Sequence, residues 1–198
     1  FELHLPRLLA RHKGQRLSFT TDLGYAIERS EAIFIAVGTP QGDTGAADLS
    51  YVEAVVSAIA ASIEAYKVIV EKSTVPVYTN QQIRNVLERH GVDPDTFDIV
   101  SNPEFLREGT AIEDFLHPDR IVVGAKSPRA TQIMESIYAP LTSGSYYNRP
   151  GAIAGQCSST RPAILLMTSP QSAELIKHAS NAFLAAKISF INSVANVA

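Results

Sequence analysis

Sulfur chemistry is almost missing from this chain. It carries one cysteine, Cys157, so no internal disulfide can form, and a reducing cytoplasm is the expected setting. No neighbouring residue would lower the pKa of that thiol, so a structural or incidental role is expected for it. A cationic excess is missing as well. Lys and Arg number 17 against 20 Asp and Glu, a formal net charge of −3. That removes the electrostatic case for nucleic acid or an anionic membrane as the main partner. Long apolar runs are absent: Lys177, His178, Asn181, Lys187 and Asn192 interrupt the apolar carboxyl end, which argues against a membrane span. There is no repeat, no CxxC or HExxH pair, no GxxxxGK[ST] loop and no cleavable leader pattern. His4, His12, His90, His117 and His178 lack ligand spacing, so no metal site is expected. The chain opens without Met and stops inside a helical pattern. An internal piece of a longer protein is therefore expected.

What is present is an alternation of short apolar runs and helical periods over 198 residues, 45% of them hydrophobic. Pro6 to His12 suits a short helix, Leu17 to Thr20 a short strand, and Asp22 can cap a helix from Leu23 to about Arg29. Ala32 to Val37 is an uninterrupted apolar run of the kind that buried parallel strands show. Helices are expected from Tyr51 to Ile63, where Asp48 or Ser50 serves as cap, and from Thr79 to His90, where Gly91 is the stop. Further strands are expected at Lys67–Val70, Phe97–Val100, Ile121–Val123 and Ala163–Met167. Ser127-Pro128 and Ser169-Pro170 open two more helices, the first to Tyr138 and the second to at least Ala198. Thr142 to Arg161, rich in Gly, Ser, Tyr and Pro, reads as a long surface loop or insertion. The pattern predicts an α/β fold: a Rossmann-like, doubly wound parallel sheet over residues 1–168, then the start of a long central helix over 169–198.

Ligands bind such sheets past the carboxyl ends of the strands. Those ends carry Gly38-Thr39-Pro40, Ser73-Thr74-Val75-Pro76, Ser101-Asn102-Pro103-Glu104 and Gly124-Ala125-Lys126, and the first three are small, hydroxyl- or amide-bearing, and turn at proline. Each alone is an ordinary turn; three at one sheet edge favour a shared ligand. Glu104 and Glu108, four apart, share a face if that piece is helical. A lone pair of this kind is usually a solvated turn. Lys177 and Asn181 lie one turn apart among Ala, Ile and Phe. Either they are surface residues or they meet an anionic oxygen together.

VGTP at 37–40, EKSTVP at 71–76, SNPEFLREGTAIEDFLHPDRIVVG at 101–124 and ELIKHASNAFLAAKISFIN at 174–192 resemble the UDP-glucose/GDP-mannose dehydrogenase family, with the NPEFLREG wording nearer the glucose branch. The resemblance spans nearly the whole chain except 142–161. It implies an N-terminal Rossmann domain, a long central helix that pairs subunits as a homodimer, and a second α/β domain. The implied activity is NAD-dependent oxidation of the C6 alcohol of UDP-glucose to a carboxylate, with two NAD consumed and no aldehyde released, in polysaccharide biosynthesis. By the same resemblance Val37, Gly38, Thr39 and Pro40 surround NAD, and Ser73, Thr74 and Val75 lie at its ribose–nicotinamide side. Glu108 becomes a cofactor contact. Glu104 becomes the carboxylate serving water in thioester hydrolysis, with Thr74 helping to place that water. Lys177 and Asn181 become the pair stabilising negative charge on the C6 oxygen. Glu104, Phe105, Leu106, Arg107 and Glu108 supply a loop to the nucleotide sugar.

Three departures accompany the resemblance. The glycine-rich phosphate loop and its acidic ribose partner are expected before Phe1. A catalytic cysteine is expected beyond Ala198, and Cys157 is not it. Tyr78 stands where the family usually has Gly, which puts the turn after STVPV in question. The chain by itself is expected not to complete the two-step oxidation. Two other readings stay open: a dehydrogenase for another nucleotide sugar, GDP-mannose or UDP-N-acetylmannosamine, and a non-catalytic dinucleotide- or nucleotide-sugar-binding module.

Overall fold

The computed structural model describes residues 2–43, 45–155 and 161–197. In chain order the elements are α1 (Leu5–His12), α2 (Leu23–Glu28), β1 (Ala32–Ile35), α3 (Ser50–Ser62), β2 (Lys67–Glu71), α4 (Thr79–Arg89), β3 (Phe97–Ser101), α5 (Ala111–Leu116), β4 (Arg120–Gly124), α6 (Pro128–Thr142), β5 (Ile164–Thr168) and α7 (Pro170–Ala195). The strands form one sheet in the order β1-β2-β3-β4-β5.

The apolar runs become strands because both sheet faces are covered, and the side-chain period of two sends neighbours to opposite cores. Ile69, Phe97 and Ile99 pack with Val52, Val56 and Ile59 of α3 and Ile83 and Leu87 of α4. Val68, Val70, Val100, Ile121 and Val123 point the other way, onto Ala130, Met134, Tyr138 and Leu141 of α6. Each fully buried Val or Ile contributes about 1.5–3 kcal/mol by leaving water. The helix starts follow the expected chemistry. Asp22, Ser127 and Ser169 each accept a hydrogen bond from the backbone N–H three residues on, and Pro opens α6 and α7.

The Rossmann-like, mostly parallel sheet is as expected, with one difference. β1, β2 and β3 are parallel, and so are β4 and β5, but β3 meets β4 antiparallel through the single pair Ser101↔Gly124. Several local expectations also change. Leu17 makes only an isolated bridge to Lys13, so Leu17–Thr20 is not a strand. The backbone there closes on itself instead, with the Gly14 N–H donating to Leu17 O. β1 stops at Ile35, and Ile35 alone is buried in it. No described strand lies beyond β1, which makes it an edge and leaves Phe34 exposed. α6 runs on to Thr142 through Pro140, and α7 ends at Ala195. Residues 143–151 form turns, as the loop reading expected, while Cys157 lies outside the described residues. No helix among the described residues is long and apolar enough to cross a membrane.

Candidate active site at the strand ends

The last residues of all five strands stand in one row: Ile35, Glu71, Ser101, Gly124 and Thr168 are successive partners across the sheet. Every strand-end motif therefore arrives at one line. Because β4 runs against β3, the chain leaving Ser101 continues beside β4, and Asn102 Nδ2 donates to Val122 O at 2.7 Å. Gly124 is required at this crossing. A Cβ there would lie 2.6 Å from Pro170 Cα and 2.7 Å from Ser169 O. The absence of a side chain lets the first turn of α7 sit directly on the row.

Two loops expected at a dinucleotide are tied together here. The Val37 N–H donates to Ser73 Oγ at 3.0 Å, and the Thr39 hydroxyl donates to Thr74 O at 2.8 Å. Gly38 is exposed, and a Cβ there would meet nothing within 4 Å. Pro40 is also exposed. Small side chains with open space beside them fit the approach of a flat dinucleotide. α7 pins the same region from above: His178 Nε2 donates to Val75 O at 2.5 Å. Glu174 accepts from the Tyr78 N–H and the Asn80 N–H, both at 2.7 Å. It thereby caps α4, which has no cap of its own. Tyr78 keeps the glycine-like turn, with φ +78°. Its ring is 63% exposed, so the crowding expected from it is relieved by pointing the side chain into solvent.

The charged centre is Lys177 and Glu104, 73 residues apart in sequence. Lys177 Nζ donates to Glu104 Oε1 at 2.7 Å, and the Lys177 side chain is 8% exposed against 29% for Glu104. Glu104 Oε2 accepts from the Leu106 N–H at 2.5 Å. Burial works to raise the Glu104 pKa. The hydrogen bonds from Lys177 and Leu106 and the charges of Lys177 and Lys72 outweigh it and hold the carboxyl below its ordinary value. The Phe105 ring lies between two cations, 4.7 Å from the Arg120 guanidinium and 5.5 Å from Lys177 Nζ. Beside Glu104 opens a cavity of about 330 Å³, walled by the loops around 102–107 and 114–121 with Lys72 and Tyr138.

Not every expected residue joins this centre. Glu104 and Glu108 do not share a helix face, because residues 102–107 are in neither helix nor strand and 108–110 turn before α5 begins. Glu108 is exposed. Arg107 turns to Asp114, with Nη2 to Oδ1 at 2.7 Å and Nε to Oδ2 at 3.1 Å. Asn181 is exposed on α7, one turn beyond Lys177. Sequence reasoning also passed over residues that hold the centre together. Lys72 Nζ donates to Asn102, the Tyr138 hydroxyl donates to Asn102 Oδ1 at 2.5 Å, and Glu71 is buried at the end of β2. The one signal for Glu71 and Lys72 was a charged pair closing an apolar strand.

Residues 1–142 match the family described as UDP-glucose/GDP-mannose dehydrogenase, NAD binding domain, and residues 171–198 match the central domain of the same family. The chain is 44% identical over 92% of its length to UDP-glucose 6-dehydrogenase TuaD of Bacillus subtilis, covering 35% of that protein. It is 45% identical over its whole length to UDP-glucose 6-dehydrogenase of Rhizobium meliloti, covering 42% of that protein. The chain thus spans less than half the length of these relatives. Among solved structures, a UDP-glucose dehydrogenase from Pyrobaculum islandicum superposes with a TM-score of 0.80 at 38% identity, over 98% of this chain and 41% of that one. GDP-mannose dehydrogenase from Pseudomonas aeruginosa gives 0.82 at 31% identity, over 97% and 41%. A family match that continues from the strand-end row into the helix carrying Lys177 settles the lineage: the chain belongs to the UDP-glucose/GDP-mannose dehydrogenase family.

Proposed function

We propose that the protein carrying this chain is an NAD-dependent nucleotide-sugar dehydrogenase that oxidises the C6 alcohol of UDP-glucose to the carboxylate. The observation that supports it most is the Lys177–Glu104 pair, standing over strand ends that fit a dinucleotide. NAD, held by Val37–Pro40 and Ser73–Val75, would supply the hydride acceptor. The Lys177 ammonium, in a mostly buried setting, offers positive charge where an alkoxide oxygen develops. Asn181, one turn further along α7, adds an amide donor on the same side. Glu104, kept ionised, can orient water and take its proton in the thioester hydrolysis that releases the acid, with Thr74 helping to place that water. Phe105 to Glu108 form the loop along the sugar nucleotide. A second subunit packs on α7, where Phe183, Leu184, Ile188, Phe190 and Ile191 are exposed.

The test is NADH formed per sugar consumed by the intact protein. UDP-glucose should yield about two NADH, and Lys177→Met should lower kcat by about 10²–10³ with the KM for NAD little changed. The likeness to GDP-mannose dehydrogenase favours a second reading. NADH from GDP-mannose and none from UDP-glucose would establish it. Tight NAD binding with no NADH from either sugar would leave a binding module.

A further inference from the structure

Lys72 follows the last residue of β2 and is not among the residues that the family resemblance singled out. Its Nζ lies 3.3 Å from Asn102 Oδ1 and 3.4 Å from Asn102 O, donating to both. Asn102 is 1% exposed and is held from two other sides, by Val122 O and by the Tyr138 hydroxyl. Only Pro103 separates this anchored residue from Glu104. The ammonium also forms part of the cavity wall beside Glu104 and stands 5.9 Å from the Phe115 ring centroid. Three charged groups act on it: Glu71 from its own strand, Glu104 from the loop after β3, and Lys177 from α7. Burial pushes the Glu71 carboxyl up, away from ionisation, and Glu104 is the larger of the two acidic influences that hold Lys72 protonated. One carboxylate therefore serves two ammonium groups.

That surplus has a use. When Lys177 turns to a substrate oxygen, its ion pair with Glu104 loosens, and a half-buried carboxylate left without a cation would take up a proton. We propose that Lys72 is a positioning residue for Glu104: it pins the Asn102–Pro103–Glu104 turn and remains as counter-ion while Lys177 engages substrate. This rests on the dehydrogenase reading above, because it assigns Lys177 a second partner.

The experiment uses the intact protein with Lys72→Met, which removes charge and hydrogen bonds, and Lys72→Gln, which keeps a donor toward Asn102 but no charge. Lys72→Arg restores the charge. The Glu104 carboxyl is titrated by ¹³C NMR on glutamate-labelled protein, its signal assigned by loss in Glu104→Gln. Met and Gln variants should raise the Glu104 midpoint by at least half a pH unit, and Arg should bring it back. The acid limb of the kcat profile for NADH formation should move by the same amount, with KM values within twofold. Should Lys72→Met fail to fold, Lys72→Gln carries the reading. An unchanged Glu104 midpoint in a folded, charge-free variant overturns the proposal, as does a shift that Arg does not reverse. If the wild type forms no NADH from any nucleotide sugar, the functional reading fails on its own, and the titration still decides what Lys72 does to Glu104.

Discussion

Glu71 closes β2 with 2% of its surface exposed, and its Oε1 has no hydrogen-bond partner. Burial, and next the charge of Glu174, push its carboxyl from the ordinary 4.5 up to about 8, against the pull of Lys72 and the Ser73 N–H. The folded protein thus holds a proton that the unfolded chain gives up above about pH 4.5. The stability that this proton contributes is complete below that pH, and it is lost as pH rises through about 8. At about 1.4 kcal/mol per pH unit, the whole interval bounds the effect at about 5 kcal/mol. Lys72 competes for the same proton, because burial lowers its own pKa to about 8. Sharing between coupled groups and local relaxation reduce the expected figure to about 2–3 kcal/mol.

Glu71→Gln imitates the protonated acid in shape and cannot ionise. Its stability should match the wild type within about 0.5 kcal/mol at pH 4.5 and exceed it by about 2–3 kcal/mol at pH 8. Urea unfolding followed by far-UV circular dichroism measures this, since the chain has no tryptophan to report on this region. A difference between variant and wild type that is the same at both pH values would refute the account. It would mean that Glu71 is either ionised throughout or matched by a partner that the geometry does not provide.

Two further perturbations follow from the backbone. Tyr78 is left-handed at φ +78°, which costs an L-residue about 1–2 kcal/mol, partly offset in Gly by its greater unfolded-state freedom. Tyr78→Gly should therefore stabilise by about 0.5–1 kcal/mol and raise Tm by about 1–4 °C, and a lowered Tm would show that the exposed ring packs on something that compensates. Gly124→Ala places a methyl 2.6 Å from Pro170 Cα and should destabilise by about 1–3 kcal/mol. It should also lower activity by displacing Lys177, and unaltered stability and kinetics would mean that α7 does not depend on this contact.

The alternation of apolar runs with helical periods was enough to place β2, β3, β4 and β5 and the helices α1, α2, α3, α4, α6 and α7, because those elements follow a regular period, whereas the six-residue α5 was not expected. What it could not show was direction. Val122 and Val100 read alike as buried strand residues, yet β4 runs against β3, and only tertiary pairing decides that. Leu17–Thr20 failed for a related reason: a β-prone stretch with no neighbour to pair with has nowhere to send its backbone hydrogen bonds. Among the residues expected at the site, Glu104 and Lys177 each lie on a long motif, and the structure brings the two together. Lys72, Glu71 and Tyr138 were passed over because their roles are relational. A charged residue at a strand end looks ordinary until Asn102 and Glu104 are known to lie across from it.

The spacing along α7 shows why one helix can organise the row. Pro170, Ala173, Glu174 and Lys177 are buried, and His178 bonds Val75, so positions 170, 173, 174, 177 and 178 form one stripe at helical spacing. Together they act on three strand ends, those of β2, β3 and β4. Pro170 rests against Gly124, Glu174 caps α4 after the β2 loop, His178 holds that loop, and Lys177 reaches the residue after Pro103. A helix turn is 5.4 Å, so Glu174 and Lys177, three residues apart, fix the two loops relative to each other to within a fraction of a turn. Asn181 continues the same stripe one turn on and is exposed, while Lys177 is buried. The helix therefore acts as a ruler: whatever shifts its first turn at Gly124 shifts the dinucleotide-side loop, the α4 cap and the Glu104 ion pair together.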